Sequence, residues 1–577
     1  MDTGQQEYRE ITPAAVILGV ILGIVMTMSF VYAGLKLGFT LGGSSIAAIV
    51  GFVILKGILK KGTIVENNIN QTIASGVNIA SAGIIFTLPA LLLMGRDFPM
   101  WVMIVSAMGG SLLGITVIIP LRKQLIDLDR LRFPTGTAVA AILKSPGAGK
   151  EKAVLMGIGF VLSLGTVILI KYGYLPGEIP VGKWLGLPEY TQTGIYFSLM
   201  NFGAGMLAGA GGLAFALGGI LAYWFIAPFA VGNGWVAPGS PEVVTDAIYH
   251  GMLRPLGIGL LIGGALIGII VAFPAIKGAF KSLQQAAQTI KGGKGEGSDE
   301  VPIKVLYFGL VASVILLFFS AYMASDISVA RAAVISIVGT VWIGVAGLIV
   351  AQATGLTDIS PLSGLALIAV TLILAITGGD VVIAVLIGVA VCVATSQCAD
   401  MMQDLKTGQM VGARPIRQQV MQYAVAWIGP LVAIGTVYLL WHTPDGSPGF
   451  GMNSDACVNK LPECLVAPQA GALEAMITGV LDGNAPVVKY VTGALIGGGL
   501  AVYPIGGLGV LVGLAFYLPF AITLGFGLGC LATMGIAKWK SSDFVEEKVV
   551  PLAAGLIIGE ALTEVAYSMA QIVKGMF

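Results

Sequence analysis

The chain has 577 residues, of which 56%, about 323, are apolar, against 31 basic and 30 acidic side chains. So few charges cannot cover a water-soluble globule of this size, and a net charge of +1 offers no basic excess for nucleic acid. At roughly 20 apolar residues per crossing, on the order of 14 to 16 membrane helices fit, and long apolar runs instead of ten-residue alternation exclude a transmembrane barrel. The expected class is an all-α polytopic integral membrane protein.

The polar start, Met1 to Glu10, leads straight into an apolar run without a small-residue cleavage site, so it reads as a retained first helix. Apolar runs follow at 12–34, 38–59, 72–94, 100–120, 151–171, 194–212, 213–230, 255–275, 303–323, 329–350, 361–377, 380–397, 416–440, 485–503, 505–520, 522–537 and 549–574. Two shorter runs, 134–146 and 467–481, reach only about 20 Å and are expected to be re-entrant or broken helices. With the N-terminus inside, Lys60, Lys61, Arg122, Lys123, Arg130 and Arg132 fall on the cytoplasmic side. If 134–146 does not cross, the lysines from 277 to 304, then Lys406, Arg414 and Arg417, join them. The loop 441–466 then faces outward, where Cys457 and Cys464 could pair as a disulfide. The side of the C-terminus depends on whether 467–481 spans.

The Lys/Gly-rich stretch around 291–300 reads as a flexible linker between an N-terminal half, 1–290, and a C-terminal half, 301–577. A weak internal similarity, YAGLKLGFTL from Tyr32 and YLPFAITLGFGL from Tyr517, fits a two-half transporter design. Glycine, at 82 residues, lies within the apolar runs, where it permits close helix packing and helix breaks.

Four constellations carry possible chemistry. The segment from Glu66 to Gly76 opens an apolar helix with Asn67, Asn68, Asn70, Gln71, Thr72 and Ser75, which suit binding of peptide-like solutes and equally suit capping or helix-to-helix hydrogen bonding. Asp400 and Asp404 are four apart and share a helix face, where they could relay protons or bind an ammonium group, or form an interfacial cluster offset by Lys406 and Arg414. Phe133-Pro134-Thr135-Gly136-Thr137 opens the short run, whose half-helix N-terminus could hold a carboxylate or simply start an interfacial helix. Glu560 and Glu564, with Asp380, are intramembrane acids suited to carrying a coupling proton.

Only His250 and His442 are present, so no metal site or cofactor is expected. Gly378-Gly379-Asp380 does not complete the intramembrane aspartyl protease pattern, because position 377 is Thr. No zinc-protease, hydrolase or nucleotide-binding pattern appears in a suitable context, and an enzyme is not expected.

In combination, VYAGLKLGFTLGGSSIAA, ENNINQTIAS, PLRKQLIDLDRLRFPTGTAVAAIL, GLTDISPLSGLAL, ADMMQDLKTGQMVGARPIRQ, FYLPFAITLGFGLG and GLIIGEALTEV resemble the oligopeptide transporter (OPT) superfamily along nearly the whole chain. The resemblance implies about 16 transmembrane segments, repeated units, uptake of peptides or peptide-like chelates driven by protons, and a plausible homodimer. After the FPxGT motif this chain reads Ala138-Val139-Ala140-Ala141, so a family acid of that stretch is missing and its role does not transfer.

The expectation is therefore a secondary active importer of short peptides, resident in the lipid of an inner membrane, with a metal-chelate importer as the alternative. Asn68, Asn70, Gln71, Ser75, Thr135, Thr137, Gln403 and Tyr517 are expected to hold substrate, with Tyr32 and Lys36 near the gate. Asp400, Asp404, Glu560, Glu564 and Asp380 are the expected proton carriers. A passive channel would equilibrate without accumulating, and an intramembrane hydrolase would release cleaved product without a gradient.

Overall fold

The computed structural model describes residues 9–38, 43–60, 62–144, 149–236, 238–271, 300–357, 360, 362–443, 446–459, 461, 463–482, 486–503 and 508–576. The expected linker 291–300, apart from its last residue, lies outside them, as do Asp358 and Asp445. The described chain is almost wholly helical, with one two-stranded antiparallel ribbon of β1 (Glu178–Ile179) and β2 (Ile195–Tyr196).

In chain order the helices used below are α1 (Pro13–Leu37), α2 (Ser44–Gly51), α3 (Ile64–Leu93), α4 (Met100–Leu121), α5 (Pro134–Lys144), α6 (Gly149–Lys171), α7 (Leu199–Ala208) and α8 (Leu213–Ile220). They continue with α9 (Arg254–Val271), α10 (Ile303–Ala324), α11 (Val329–Thr357), α12 (Leu362–Thr377), α13 (Val381–Val411) and α14 (Pro415–Trp441). The last five are α15 (Pro468–Asp482), α16 (Val487–Ala501), α17 (Leu508–Tyr517), α18 (Phe520–Trp539) and α19 (Val550–Met576). Among the described residues, 11 helices are long and apolar enough to cross a membrane, and four apolar helices are shorter. The expected runs 194–212 and 213–230 fall in one candidate span, Leu199–Gly232, and helix ends sit at Gly or Pro, as at Gly38 (φ 77), Gly209 (φ 51) and Pro519.

Local signals set the ends. Thr12 caps α1 before Pro13, and Thr63 with Glu66 forms a reciprocal capping box on α3. Asp380 accepts from the Ile383 N–H and caps α13, while Gly412 (φ 81) closes it. α13 is the central post, buried along nearly all its length, whereas α6 exposes Val154, Val161 and Leu162 outward, as a lipid-facing helix does. Close approach depends on glycine: a Cβ on Gly110 or Gly114 would lie 2.3 Å from the Ala390 or Ala394 carbonyl oxygen.

Directions follow from residue pairs in contact. α1 runs parallel to α3, since Gly19 faces Asn70 and Ile73 and Gly23 faces Ala74 and Val77; α2 returns antiparallel, with Ser44 bonded to Ser75 and Ala48 to Asn67. α11 likewise runs parallel to α13, Gly339 meeting Ile387 and Gly347 meeting Cys398, and α12 returns beside it, Val370 lying against Gly388. Because α3 and α13 are antiparallel, with Ser75 bonded to Asp400 and Gly83 against Val393, the second arrangement is the first turned over.

The two short runs fit the same reversal. α5 and α15 are helices of 11 and 15 residues, each opened by a proline after a residue of positive φ, Phe133 (φ 45) and Ala467 (φ 50). The Phe133 N–H donates to the Gly355 carbonyl at the end of α11 (3.0 Å), and the Ala467 N–H donates to the Leu35 carbonyl at the end of α1 (2.8 Å). Each short helix is therefore tied to the end of a long helix from the other part of the chain.

α9 and α19 repeat as well. PLGIGLLIGGALIG (255–268) and PLAAGLIIGEALTE (551–564) are identical at eight of fourteen positions. Gly259 and Gly263 pack on the backbone of α16, and their counterparts Gly555 and Gly559 pack on α6. Tyr32 and Tyr517, the two starts of the weaker similarity, sit in different settings, one inside α1 and the other at the end of α17.

Replacing Gly110 by Val should cost at least about 2 kcal/mol, because the added atoms meet α13 backbone that cannot move aside. A fall in the apparent melting temperature of purified protein, with Gly344→Val as an unaffected control facing open space, checks this.

Candidate functional site

The amide cluster and the paired aspartates form one buried network. α3 supplies Asn67, Asn68, Asn70, Gln71, Thr72 and Ser75; α13 supplies Gln397, Asp400 and Asp404; α14 supplies Gln418 and Gln422; all of these are at most 7% exposed. The Ser75 hydroxyl donates to Asp400 Oδ1 and receives a bond from Ser44 (3.0 Å). Asp404 accepts from Gln422 Nε2 at 3.0 Å and is bonded by Gln71. Gln418 Nε2 reaches both the Thr72 hydroxyl (2.9 Å) and the Asp404 carbonyl (2.8 Å). Gln71 Nε2 is also 3.3 Å from Asn68 Oδ1.

No ion pair reaches Asp400 or Asp404 among the described residues, so the offset expected from Lys406 and Arg414 is not made: Lys406 bonds Gln409, and the Arg414 N–H donates to Glu10. The two carboxylates therefore stand four residues apart on one buried helix face with no described cation between them and no ion pair to offset their mutual repulsion. The network also leaves capacity open: Asn68 Nδ2, Asn70 Oδ1, Gln71 Oε1, Gln397 Oε1, Asp400 Oδ2, Gln418 Oε1 and Gln422 Oε1 are buried without a partner. An unmet buried polar atom costs about 1–3 kcal/mol, so this density points to groups kept for a ligand or a proton. Beside it, a cavity of about 480 Å³ is lined by Lys56, Thr63, Asn67, Leu143, Gly412 and Glu10, within the range of small-molecule sites.

Other expected residues lie apart. Thr135 and Thr137 are in the first turn of α5, half-buried, and Thr137 bonds the Arg132 carbonyl. Gln403 is half-buried where Gly136 of α5 touches its backbone, and Thr407 ties the two helices by donating to the Gly136 carbonyl. Asp380, as the cap of α13, is about 30 Å along the helix from Asp400. Tyr517 ends α17, its ring 5.6 Å from the Arg254 guanidinium, with Glu474 3.8 Å beyond that.

A second buried centre brings together groups that the sequence kept separate. Lys36 of α1 pairs with Glu560 of α19 at 2.9 Å, and Lys171 pairs with both Glu463 (3.0 Å) and Glu564 (3.3 Å). Glu560 also accepts from the Ser198 hydroxyl (2.6 Å) and the Met200 N–H (2.9 Å) at the start of α7. Tyr32 lies one turn from Lys36, with its ring 5.9 Å from the ammonium. Sequence reasoning did not single out Ser198, Gln418 or Gln422; the spacing of the two glutamines, one helical turn apart just after the aspartate pair, was the available signal. Cys457 and Cys464 are joined in a disulfide, which holds the loop that carries Glu463 toward Lys171.

The family described as OPT oligopeptide transporter protein matches residues 10–571. A Haemophilus influenzae protein named "Putative oligopeptide transporter" is 29% identical over 92% of this chain and 91% of its own length. The iron-phytosiderophore transporter yellow stripe 1 of Zea mays is 27% identical over 59% of this chain and 54% of its own length. A metal-nicotianamine transporter of Oryza sativa subsp. japonica matches to the same extent, 27% over 59% and 54%.

Asn67 and Asn68 make opposite predictions. Asn67 is satisfied at both ends, by the Ala48 carbonyl (2.8 Å) and Asn70 (3.2 Å), whereas Asn68 Nδ2 is free. Asn67→Ala should lower stability by about 1–3 kcal/mol. Asn68→Ala, which loses only the longer 3.3 Å bond from Gln71, should lower the melting temperature less than Asn67→Ala while reducing uptake at least tenfold; parallel melting and uptake measurements check the pair.

Proposed function

The chain belongs to the OPT oligopeptide transporter family, and on that premise we propose that it is a secondary active, proton-coupled importer of short peptides or peptide-like molecules across an inner membrane. The observation that carries the proposal is the α3–α13–α14 network: two unpaired buried carboxylates among amides with unspent hydrogen-bonding capacity. Amides match the alternating donors and acceptors of a peptide backbone, and a carboxylate held in a dry site binds a proton or an ammonium group. Asp400 and Asp404 carry the coupling proton here, and Asn68, Asn70, Gln71 and Ser75 line the substrate side.

The family resemblance implies about 16 membrane segments; the eleven long helices and four shorter apolar ones among the described residues, fifteen together, support a number near that. The halves 1–290 and 301–577 act as inverted units, and alternating access is their rocking about α13. The reversed packing of α1–α3 and α11–α13 and the crossed ties of α5 and α15 support this reading. Peptide cargo is favoured by the bacterial relative, which matches along nearly its whole length. The second reading, import of a metal already wrapped in its chelator, is favoured by the plant relatives.

Uptake into proteoliposomes from a mixed pool of di- to pentapeptides and iron chelates, with and without an inward proton gradient and read by mass spectrometry, tests both. Gradient-dependent accumulation of peptides is expected; accumulation of chelates alone transfers the protein to the second reading, and no accumulation of either removes the importer. Asp400→Asn, which preserves the bond from Ser75, should abolish gradient-driven accumulation while leaving downhill exchange within about twofold of the parent. Loss of both activities together would contradict a role for Asp400 in coupling.

A further inference from the structure

The pairing of α9 with α19 isolates what Glu560 is for. The two helices are repeats that pack on matching neighbours through matching glycines, yet where α19 has Glu560, α9 has Gly264. Gly264 lies directly against the backbone of Gly509 at the start of α17. In the corresponding place Glu560 reaches the start of α7, where its carboxylate takes the Met200 N–H, the Ser198 hydroxyl and Lys36. The fold therefore needs no carboxylate at this position, and one repeat closes the same contact with glycine alone.

The groups around Glu560 form a carboxylate receptor. Lys36 Nζ (2.9 Å) and Ser198 Oγ (2.6 Å) donate to one oxygen and the Met200 N–H (2.9 Å) to the other, at the N-terminus of the ten-residue helix α7. The first turn of α7 and the turn of α1 beside Lys36 hold further hydrogen-bonding capacity that is unspent. Asn201, in the same first turn and 0% exposed, has neither its amide nitrogen nor its oxygen partnered, and the hydroxyl of Tyr32, 2% exposed, is also unpartnered.

We propose that Glu560 is an internal latch occupying a binding site for a substrate carboxylate, and that protonation of Glu560 releases Lys36, Ser198 and the α7 N-terminus to that carboxylate. The proposal rests on the peptide-importer reading and adds a second recognition point to it. The titratable groups facing Glu560 are Lys36 and Tyr32 from α1, Glu564 on its own helix, Lys171 from α6 and Glu463 from the disulfide loop. The three glutamates against the two lysines leave one net negative charge. A second carboxylate entering alone would double that charge in a buried site, whereas a carboxylate entering with one proton leaves it unchanged. The proton goes to a Glu560 oxygen and no covalent bond other than O–H forms.

Binding of Ala-Ala-Ala and of its C-terminal amide to purified protein, measured by calorimetry between pH 5 and pH 8, tests the latch. For the parent, affinity for the free acid should rise up to tenfold for each unit fall in pH, and the amide should bind more weakly without that dependence. E560Q should bind the free acid at least tenfold tighter than the parent at pH 7, with no pH dependence, because the internal competitor is gone. A Glu560 that only held the helices together would give weaker binding in E560Q. N201A, which removes no existing bond, should weaken binding of the free acid about tenfold and leave the amide unchanged, so the test survives if E560Q does not fold. If peptide binds but neither variant alters the preference for the free acid, the latch alone is overturned. If neither probe binds any of the proteins, the peptide reading falls and the latch with it.

Discussion

Every helix end leaves backbone N–H or C=O groups that lipid cannot satisfy, and the architecture here depends on how those groups are met. The bond from Ala467 to the Leu35 carbonyl and the bonds from Arg132 and Phe133 to the Gly355 carbonyl close the ends of α1 and α11 with backbone from distant sequence. Because each tie crosses from one part of the chain to the other, neither arrangement can be completed alone. The crossing also sets the chemistry: α1 is held with Lys36 facing Glu560, and α13 is held with Asp400 and Asp404 facing α3.

Two buried polar centres result, and they differ in kind. Around Asp400 and Asp404 there are amides and hydroxyls but no ion-pair partner among the described residues. Around Glu560 and Glu564 there are lysines, and each acid is held in an ion pair. A peptide zwitterion presents both an ammonium and a carboxylate, and a carboxylate-bearing chelate presents the second alone. The division of labour between the centres is therefore where discrimination between the two cargo classes would arise.

Much of this was legible in the sequence, for physical reasons. Polar residues packed at the start of an apolar helix, an aspartate pair at i and i+4, and two short runs each state a local constraint, and the structure places the first two on buried faces of α3 and α13 and forms the short runs as the helices α5 and α15. The Cys457–Cys464 pairing was legible as a possibility from its loop. Lys36 with Glu560 was not, since 524 residues separate the partners and nothing local selects one acid over another. The repeat linking 255–268 to 551–564 is legible by direct self-comparison, at eight identities in fourteen positions.

The central claim is that movement of cargo is thermodynamically tied to movement of protons. The most direct measurement is the reversal point of net flux in proteoliposomes, obtained by opposing a fixed cargo gradient with a graded pH gradient at zero membrane potential. The account predicts that flux stops and then reverses at a pH difference set by a fixed whole-number ratio of protons to cargo. Net flux that follows the cargo gradient at every pH difference would contradict it.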